Sequence, residues 1–350
     1  MFLINLLYSL GCTILYDKYK NKIFIFIMLV FWIGLMGFQY EVGTDYDTYL
    51  KYFNGIRDVQ FFKKDEILFY YLVKSFKFIG VNGQGLFFVV ATLQMFIFYK
   101  ILNFKNFIKN KTLFIFLYLC YTTIFHSQLN GLRQCIAVYF FTIAILESKI
   151  KQYLYFITGV LFHKSLIILL PILIFKKIFI NKKIYTLYFF IFFGTFLLYF
   201  INFENIFESL YKIVTNCLGI YRGYVGSDFL ISKPSIVNVI TRYMYIPLYY
   251  IILYCIYKKR LILTRAENEI CSLGILFYIL KIIGAYFRPI SRLSLYGEIL
   301  MIYPVYIFLL KSDISKTLKK MIILVILFSY LLKICVFPSA EFLYKSYLFR

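Results

Sequence analysis

Acidic residues are scarce in this sequence: 16 Asp and Glu stand against 39 Lys and Arg among 350 residues, a formal net charge of +23. Histidine occurs twice, tryptophan once and proline six times. With so few acids and imidazoles, and those scattered, no group has metal-ligand spacing, and no metal or other cofactor is expected. The seven cysteines (12, 120, 135, 217, 255, 271 and 335) sit mostly in apolar runs without CxxC spacing, so they read as small core residues rather than a disulfide framework. No GxSxG nucleophile motif is present. No polar linker, repeat or low-complexity segment divides the chain, which predicts one domain over residues 1–350.

What the chain has in excess is apolar surface. It is 62% hydrophobic and 22% aromatic, with a mean hydropathy of +0.78, well beyond the roughly 45–50% apolar content of soluble domains. Apolar runs recur from end to end and are continuous rather than alternating, which predicts helices and not a barrel. The fold class expected is an all-α integral membrane protein. The first apolar stretch, 2–16, has no basic leader or small-residue cleavage site and reads as a retained helix.

A charge of +23 on a soluble chain would suggest nucleic acid. Here the basic residues cluster in short loops instead: 17–22, 100–111, 147–152, 176–183, 258–265 and 311–320. Placing these on the cytoplasmic side gives about ten crossings, at 2–16, 22–38, 84–102, 112–126, 129–147, 184–202, 236–257, 268–287, 293–310 and 321–336, with both termini outside. The bilayer, not nucleic acid, is the partner this implies. Outer excursions then fall at 39–83 and 203–235. Within the first, 65–80 carries Lys74 and Lys77 and reads as an amphipathic helix in the outer interface. Residues 153–175 fit either one crossing or a re-entrant hairpin turning at His163, Lys164 and Ser165; the hairpin keeps loop 176–183 inside.

The unusual polar residues gather at the expected outer level. "HSQLNGLRQCIAVYF" crowds His126, Asn130, Arg133 and Gln134 into the start of a membrane helix, where spacings of three and four put them on one face. Asp45 follows Gly43 just beyond a span. Arg222 lies in the second excursion, Arg242 near the outer end of its span, and Arg288 and Arg292 flank Pro289 at a helix start. Ordinary readings stand beside each: Arg133 as a snorkelling anchor, His126 as an interfacial histidine, Asp45 as a helix cap, Glu298 as the partner of a basic neighbour. Arginines and amides together suit an acidic lipid-linked group such as a diphosphate, which guanidinium forks hold by paired charged hydrogen bonds. A transfer needing leaving-group stabilisation and one general base fits the residues present.

Four stretches in order, "GTDYDTYLKYF", "LNGLRQCIAVYF", "LFHKSLIILLP" and "SRLSLYGEI", resemble the EpsG family of bacterial polysaccharide polymerases, similar in role to Wzy-type O-antigen and capsule polymerases. The resemblance implies a GT-C-like multi-helix enzyme of the bacterial inner membrane. It would transfer a growing glycan from undecaprenyl diphosphate to a sugar hydroxyl of the next lipid-linked unit, on the outer face. A ligase, or a flippase exporting the lipid-linked oligosaccharide, is the alternative. The substrate partner implied is the undecaprenyl-diphosphate-linked oligosaccharide, with flippase and chain-length regulator proteins as neighbours. Arg133, with Asn130 and Gln134, and Arg292 with Arg288 are the expected diphosphate binders; Arg222 and His126 lie near them. His163 or Asp45 is the base for the acceptor hydroxyl, and the sequence does not choose between them. Lys164 and Ser165 would bind the leaving diphosphate, while Tyr46 and Tyr49 would either stack on sugar rings or, more commonly for such residues, belong to an interfacial tyrosine belt.

Overall fold

A computed structural model describes residues 1–56, 65–181, 183–200 and 236–349, with Ser209 and Lys212 singly. Arg222 and nearly all of the 203–235 excursion lie outside the described residues. Among those described, the chain is helical, with one isolated β-bridge between Gln39 and Ser346. It divides into two compact units, one formed by Met1–Leu173 with Lys316–Arg350 and the other by Ile174–Ser315.

In the first unit the helices are α1 (Phe2–Tyr19), α2 (Ile23–Gly37), α3 (Tyr46–Phe53), α4 (Ile67–Phe78), α5 (Gly83–Leu102), α6 (Lys111–Cys120), α7 (Ile124–Asn130), α8 (Leu132–Leu146) and α9 (Ile150–Phe162). The second unit holds α10 (Lys183–Phe200), α11 (Ile236–Tyr243), α12 (Ile246–Tyr257), α13 (Arg265–Ile283), α14 (Arg288–Leu295) and α15 (Ile302–Lys311); α16 (Lys316–Leu331) returns to the first. Local chemistry sets several of these starts. Asn82 accepts from Gly85 N–H at 2.8 Å to open α5, and Asn110 caps α6 through Leu113 N–H at 2.8 Å; such caps contribute about 1 kcal/mol each. The Asp17 carboxylate also accepts from Thr112 N–H at 2.9 Å, an anion at a positive helix end. Thr264 and Glu267 close a capping box on α13.

Among the described residues, two helical segments are long and apolar enough to cross a membrane: α5 and Val239–Tyr257, which runs through the turn between α11 and α12. The pair α6 and α7 would make a third, bent by 55°. The other expected crossings include shorter apolar helices, among them α2, α8 and α15. Two differences from the sequence expectation are local. The 129–147 span starts at Leu132, because Gly131 takes φ −88°, ψ 62° and ends α7. The 293–310 span is broken into α14 and α15 by a run of turns. Outward-facing Leu7, Phe26, Phe96 and Leu324 leave large apolar side chains uncovered by protein, as a lipid-facing surface would.

The core of the first unit is aromatic and carries a polar thread. Trp32, fully buried, stacks on Tyr118 at 5.5 Å and donates from Nε1 to Ser9 Oγ at 2.8 Å. The Tyr118 and Tyr139 hydroxyls lie 2.6 Å apart, and Tyr139 donates to Gln128 Oε1 at 2.6 Å. A buried hydroxyl without such a partner would cost about 1–3 kcal/mol. This core fixes α8 against α5 and α9, and so fixes what projects from the start of α8.

Candidate active site

Gly131 breaks the helix between Asn130 and Arg133, so the two do not share one face. Asn130 ends α7 and turns to the 43–45 loop: its Oδ1 accepts from Asp45 N–H at 2.8 Å. Gly43 has φ +75°, and a Cβ there would fall 2.6 Å from Asn130 Oδ1, so this close approach requires glycine. Asn130 Nδ2 reaches Glu341 Oε1 at 3.4 Å. Asn130 thus holds a loop in place, where the sequence suggested a diphosphate binder beside Arg133. Asp45 opens α3 without a side-chain capping bond.

Arg133 is the second residue of α8 and meets a carboxylate the sequence reading passed over. Asp65 and Glu66 stand immediately before α4. Glu66 is 5% exposed and divides its two oxygens: Oε2 pairs with Arg133 Nη1, and Oε1 bonds His163 Nδ1. Arg133 Nε also donates to Tyr49 OH at 3.4 Å, and the guanidinium carbon lies 5.8 Å and 5.7 Å from the Tyr49 and Phe69 ring centroids. Burial alone would raise the Glu66 pKa, but the hydrogen bond from His163 and the Arg133 charge outweigh it and hold the carboxyl below its ordinary range. The Tyr49 phenol is pushed up by burial against the opposing pull of Arg133.

His163 sits where the chain breaks. It ends α9 with φ −152°, ψ 106°, and a 3₁₀ turn, Lys164–Leu169, follows. No proline or glycine forces this break. Leu166 instead folds back over Gly159, where a Cβ would fall 2.6 Å from Leu166 Cδ2. The helix therefore breaks at the His163, Lys164 and Ser165 step, where the re-entrant hairpin was expected to turn. The break carries Lys164 to Asp65, Nζ to Oδ1 at 2.5 Å, both side chains half-exposed, while Ser165 is buried. Gln134 is half-buried beside Arg133 on α8.

The structure thus brings Arg133, His163 and Lys164 into one cluster with Tyr49, Asp65 and Glu66. It does not bring His126 there. That ring is fully buried, stacked on Phe342 at 4.0 Å and edge-on to Phe2 at 4.5 Å, with Tyr330 OH 3.5 Å from its Nε2. Nor do Tyr46 and Tyr49 present ring faces to a sugar: each is 3% exposed, and Tyr46 stacks on Phe87 at 4.8 Å. Among the described residues, no three His, Cys, Asp or Glu side chains converge as a metal-ligand set.

The second unit has its own charged group. Arg242 donates from Nη1 to Lys281 O at 2.7 Å and from Nη2 to Ser291 Oγ at 3.1 Å, clamping α11, α13 and α14 together. Lys281 Nζ pairs with the buried Glu298 at 2.6 Å, the role suggested for that glutamate. Arg288 and Arg292 are exposed, four residues apart on α14.

These features define a class: an all-helical chain with membrane-length apolar helices, whose polar chemistry collects at helix ends and breaks. The chain belongs to the EpsG family, whose model matches residues 22–349, and EpsG proteins are Wzy-like polysaccharide polymerases. No curated protein matches it, and no solved structure does.

Proposed function

We propose that the chain is a polysaccharide polymerase embedded in the bacterial inner membrane by about ten crossings. It transfers a growing glycan from undecaprenyl diphosphate to a sugar hydroxyl of the next lipid-linked unit, at the outer face. One observation carries this reading: a chain matching the polymerase family over 22–349 gathers Arg133 and the adjacent His163 and Lys164, from two separate segments, around one pair of acids.

The chemistry balances simply. The acceptor hydroxyl oxygen attacks the anomeric carbon of the donor glycan, and the bond from that carbon to the diphosphate oxygen breaks. The bonding pair leaves with the lipid diphosphate, and the hydroxyl proton passes to His163. Lys164, Ser165 and Arg133 receive the negative charge growing on the leaving group, with Gln134 beside them. Asn130 holds the Asp45 loop next to this group. Arg288 and Arg292 of the second unit are further cations for the diphosphate-bearing substrates. A flippase would deliver those substrates, and a chain-length regulator would act on the product.

Deletion of the protein followed by lipid extraction tests the reading. Accumulated single repeat units with loss of long glycan support it. Long chains retained on the carrier lipid would make the protein a ligase, and an unchanged glycan profile would refute transfer of either kind.

A further inference from the structure

Histidine as a base poses a problem of tautomers. Neutral imidazole carries its proton on one nitrogen and its lone pair on the other, and the partner of the first nitrogen decides which is which. At His163 the backbone gives little help: the residue stands between α9 and a 3₁₀ turn, and its ring must be aimed by whatever it touches. What it touches through Nδ1 is Glu66 Oε1. An ionised carboxylate only accepts, so this contact requires the proton on Nδ1 and puts the lone pair on Nε2. The second Glu66 oxygen is taken by Arg133 Nη1, and the guanidinium is in turn held by Tyr49. A carboxylate this deeply buried is costly unless paired and hydrogen-bonded, and here each oxygen has a partner of the complementary kind.

We propose that Glu66 is the positioning residue of the transfer reaction: it fixes the His163 ring with the proton on Nδ1 and the lone pair on Nε2, and Arg133 keeps Glu66 an anion for that task. When the acceptor proton arrives at Nε2, Nδ1 keeps its own, and the imidazolium forms beside a carboxylate that stays ionised. The inference rests on His163 being the base. It also gives Arg133 a task besides diphosphate binding, since the same guanidinium that faces the leaving group sets the charge of the residue behind the base. A purely structural Glu66, pinning the start of α4 to α8 and α9, would be served almost as well by glutamine.

Glutamine separates the two roles. Its amide fits the same space but can donate to Nδ1, which reverses the tautomer. Glu66→Gln is expected to lower turnover by about 100- to 10,000-fold, with KM for purified undecaprenyl-diphosphate-linked repeat units changed much less. Glu66→Asp, which keeps an acceptor-only group, should recover part of the loss. The direct readout is ¹⁵N solid-state NMR of histidine-labelled protein in membranes, at a pH where the rings are neutral. The chain has two histidines, so the His163 signals are those lost in His163→Gln. Wild type should show His163 protonated at Nδ1, and Glu66→Gln should move the proton to Nε2. A wild-type His163 protonated at Nε2 would overturn the inference without reference to any variant, as would Glu66→Gln turnover within about fivefold of wild type. The underlying reading fails separately: an Nδ1-protonated His163 in a chain whose His163→Gln variant is fully active would remove the base assignment itself. If Glu66→Gln does not accumulate, the wild-type spectrum and Glu66→Asp still decide.

Discussion

The two units each hold a buried glutamate among basic residues, and they use it differently. In the second unit Glu298 pairs with Lys281, while Arg242 donates to a backbone carbonyl and a serine hydroxyl. The helices that carry that carbonyl and that serine are neighbours of its own, so Arg242 acts as a clamp. In the first unit Glu66 takes an arginine guanidinium and a histidine imidazole, and the Lys164–Asp65 pair beside it is half-exposed. Buried charge serves cohesion in one case; in the other, under the proposed function, it serves proton transfer. What separates the two groups is an imidazole partner, not the number of charges.

The largest expected break in that contrast is His163→Gln, which should cut polymerisation of defined lipid-linked units by about 100-fold or more at normal abundance on immunoblots. A loss below about fivefold would leave the first cluster no more chemical than the second. Next is Arg133→Lys. Lysine keeps the charge but cannot reach Glu66 and Tyr49 together while offering a fork, so about 2–4 kcal/mol of transition-state stabilisation should disappear from kcat/KM, with insertion unchanged. If Arg133→Lys and Arg133→Gln are both fully active, the arginine is an anchor and the anion site belongs around Arg288 and Arg292.

Arg242→Gln sharpens the comparison from the other side. Losing the clamp should cost about 1–3 kcal/mol of stability, read as a lower midpoint of thermal unfolding in detergent. Turnover per folded molecule should stay near wild type, and a selective loss of turnover would make Arg242 part of the chemistry. The smallest effect belongs to Asp45→Asn. What Asn130 binds is the Asp45 backbone N–H, which the substitution keeps, so activity should stay within about fivefold. A loss on the scale of His163→Gln would transfer the role of base to Asp45.

Much of this was legible in the sequence, for identifiable reasons. A His-Lys-Ser step inside an apolar run is costly on a lipid-exposed helix and so marks a break, and the helix does end there. Lys74 and Lys77 interrupting an aromatic run predict a one-sided helix, and α4 buries Phe69, Tyr70 and Val73 while both lysines are exposed. Glu66 was missed because its partners are 67 and 97 residues away, and no local period encodes contacts at that range. A signal existed: an Asp-Glu pair opening a helix in a chain with 16 acids needs a reason to be there. The shared face drawn through His126, Asn130 and Arg133 failed at Gly131, since a period argument assumes an unbroken helix. His126 then went to the aromatic core beneath Phe342, a residue 216 positions further along that no reading of the 126–140 stretch could supply.

A double-substitution cycle tests most directly whether Glu66 and His163 work as one proton-handling unit, as proposed. Turnover of lipid-linked repeat units would be compared for wild type, Glu66→Gln, His163→Gln and the two together, each normalised to folded protein. If the two residues work as one unit, the double variant is no slower than His163→Gln alone, because a positioning residue has nothing left to position once the imidazole is gone. Losses that multiply, so that the double variant falls below His163→Gln by the full Glu66→Gln factor, would contradict it.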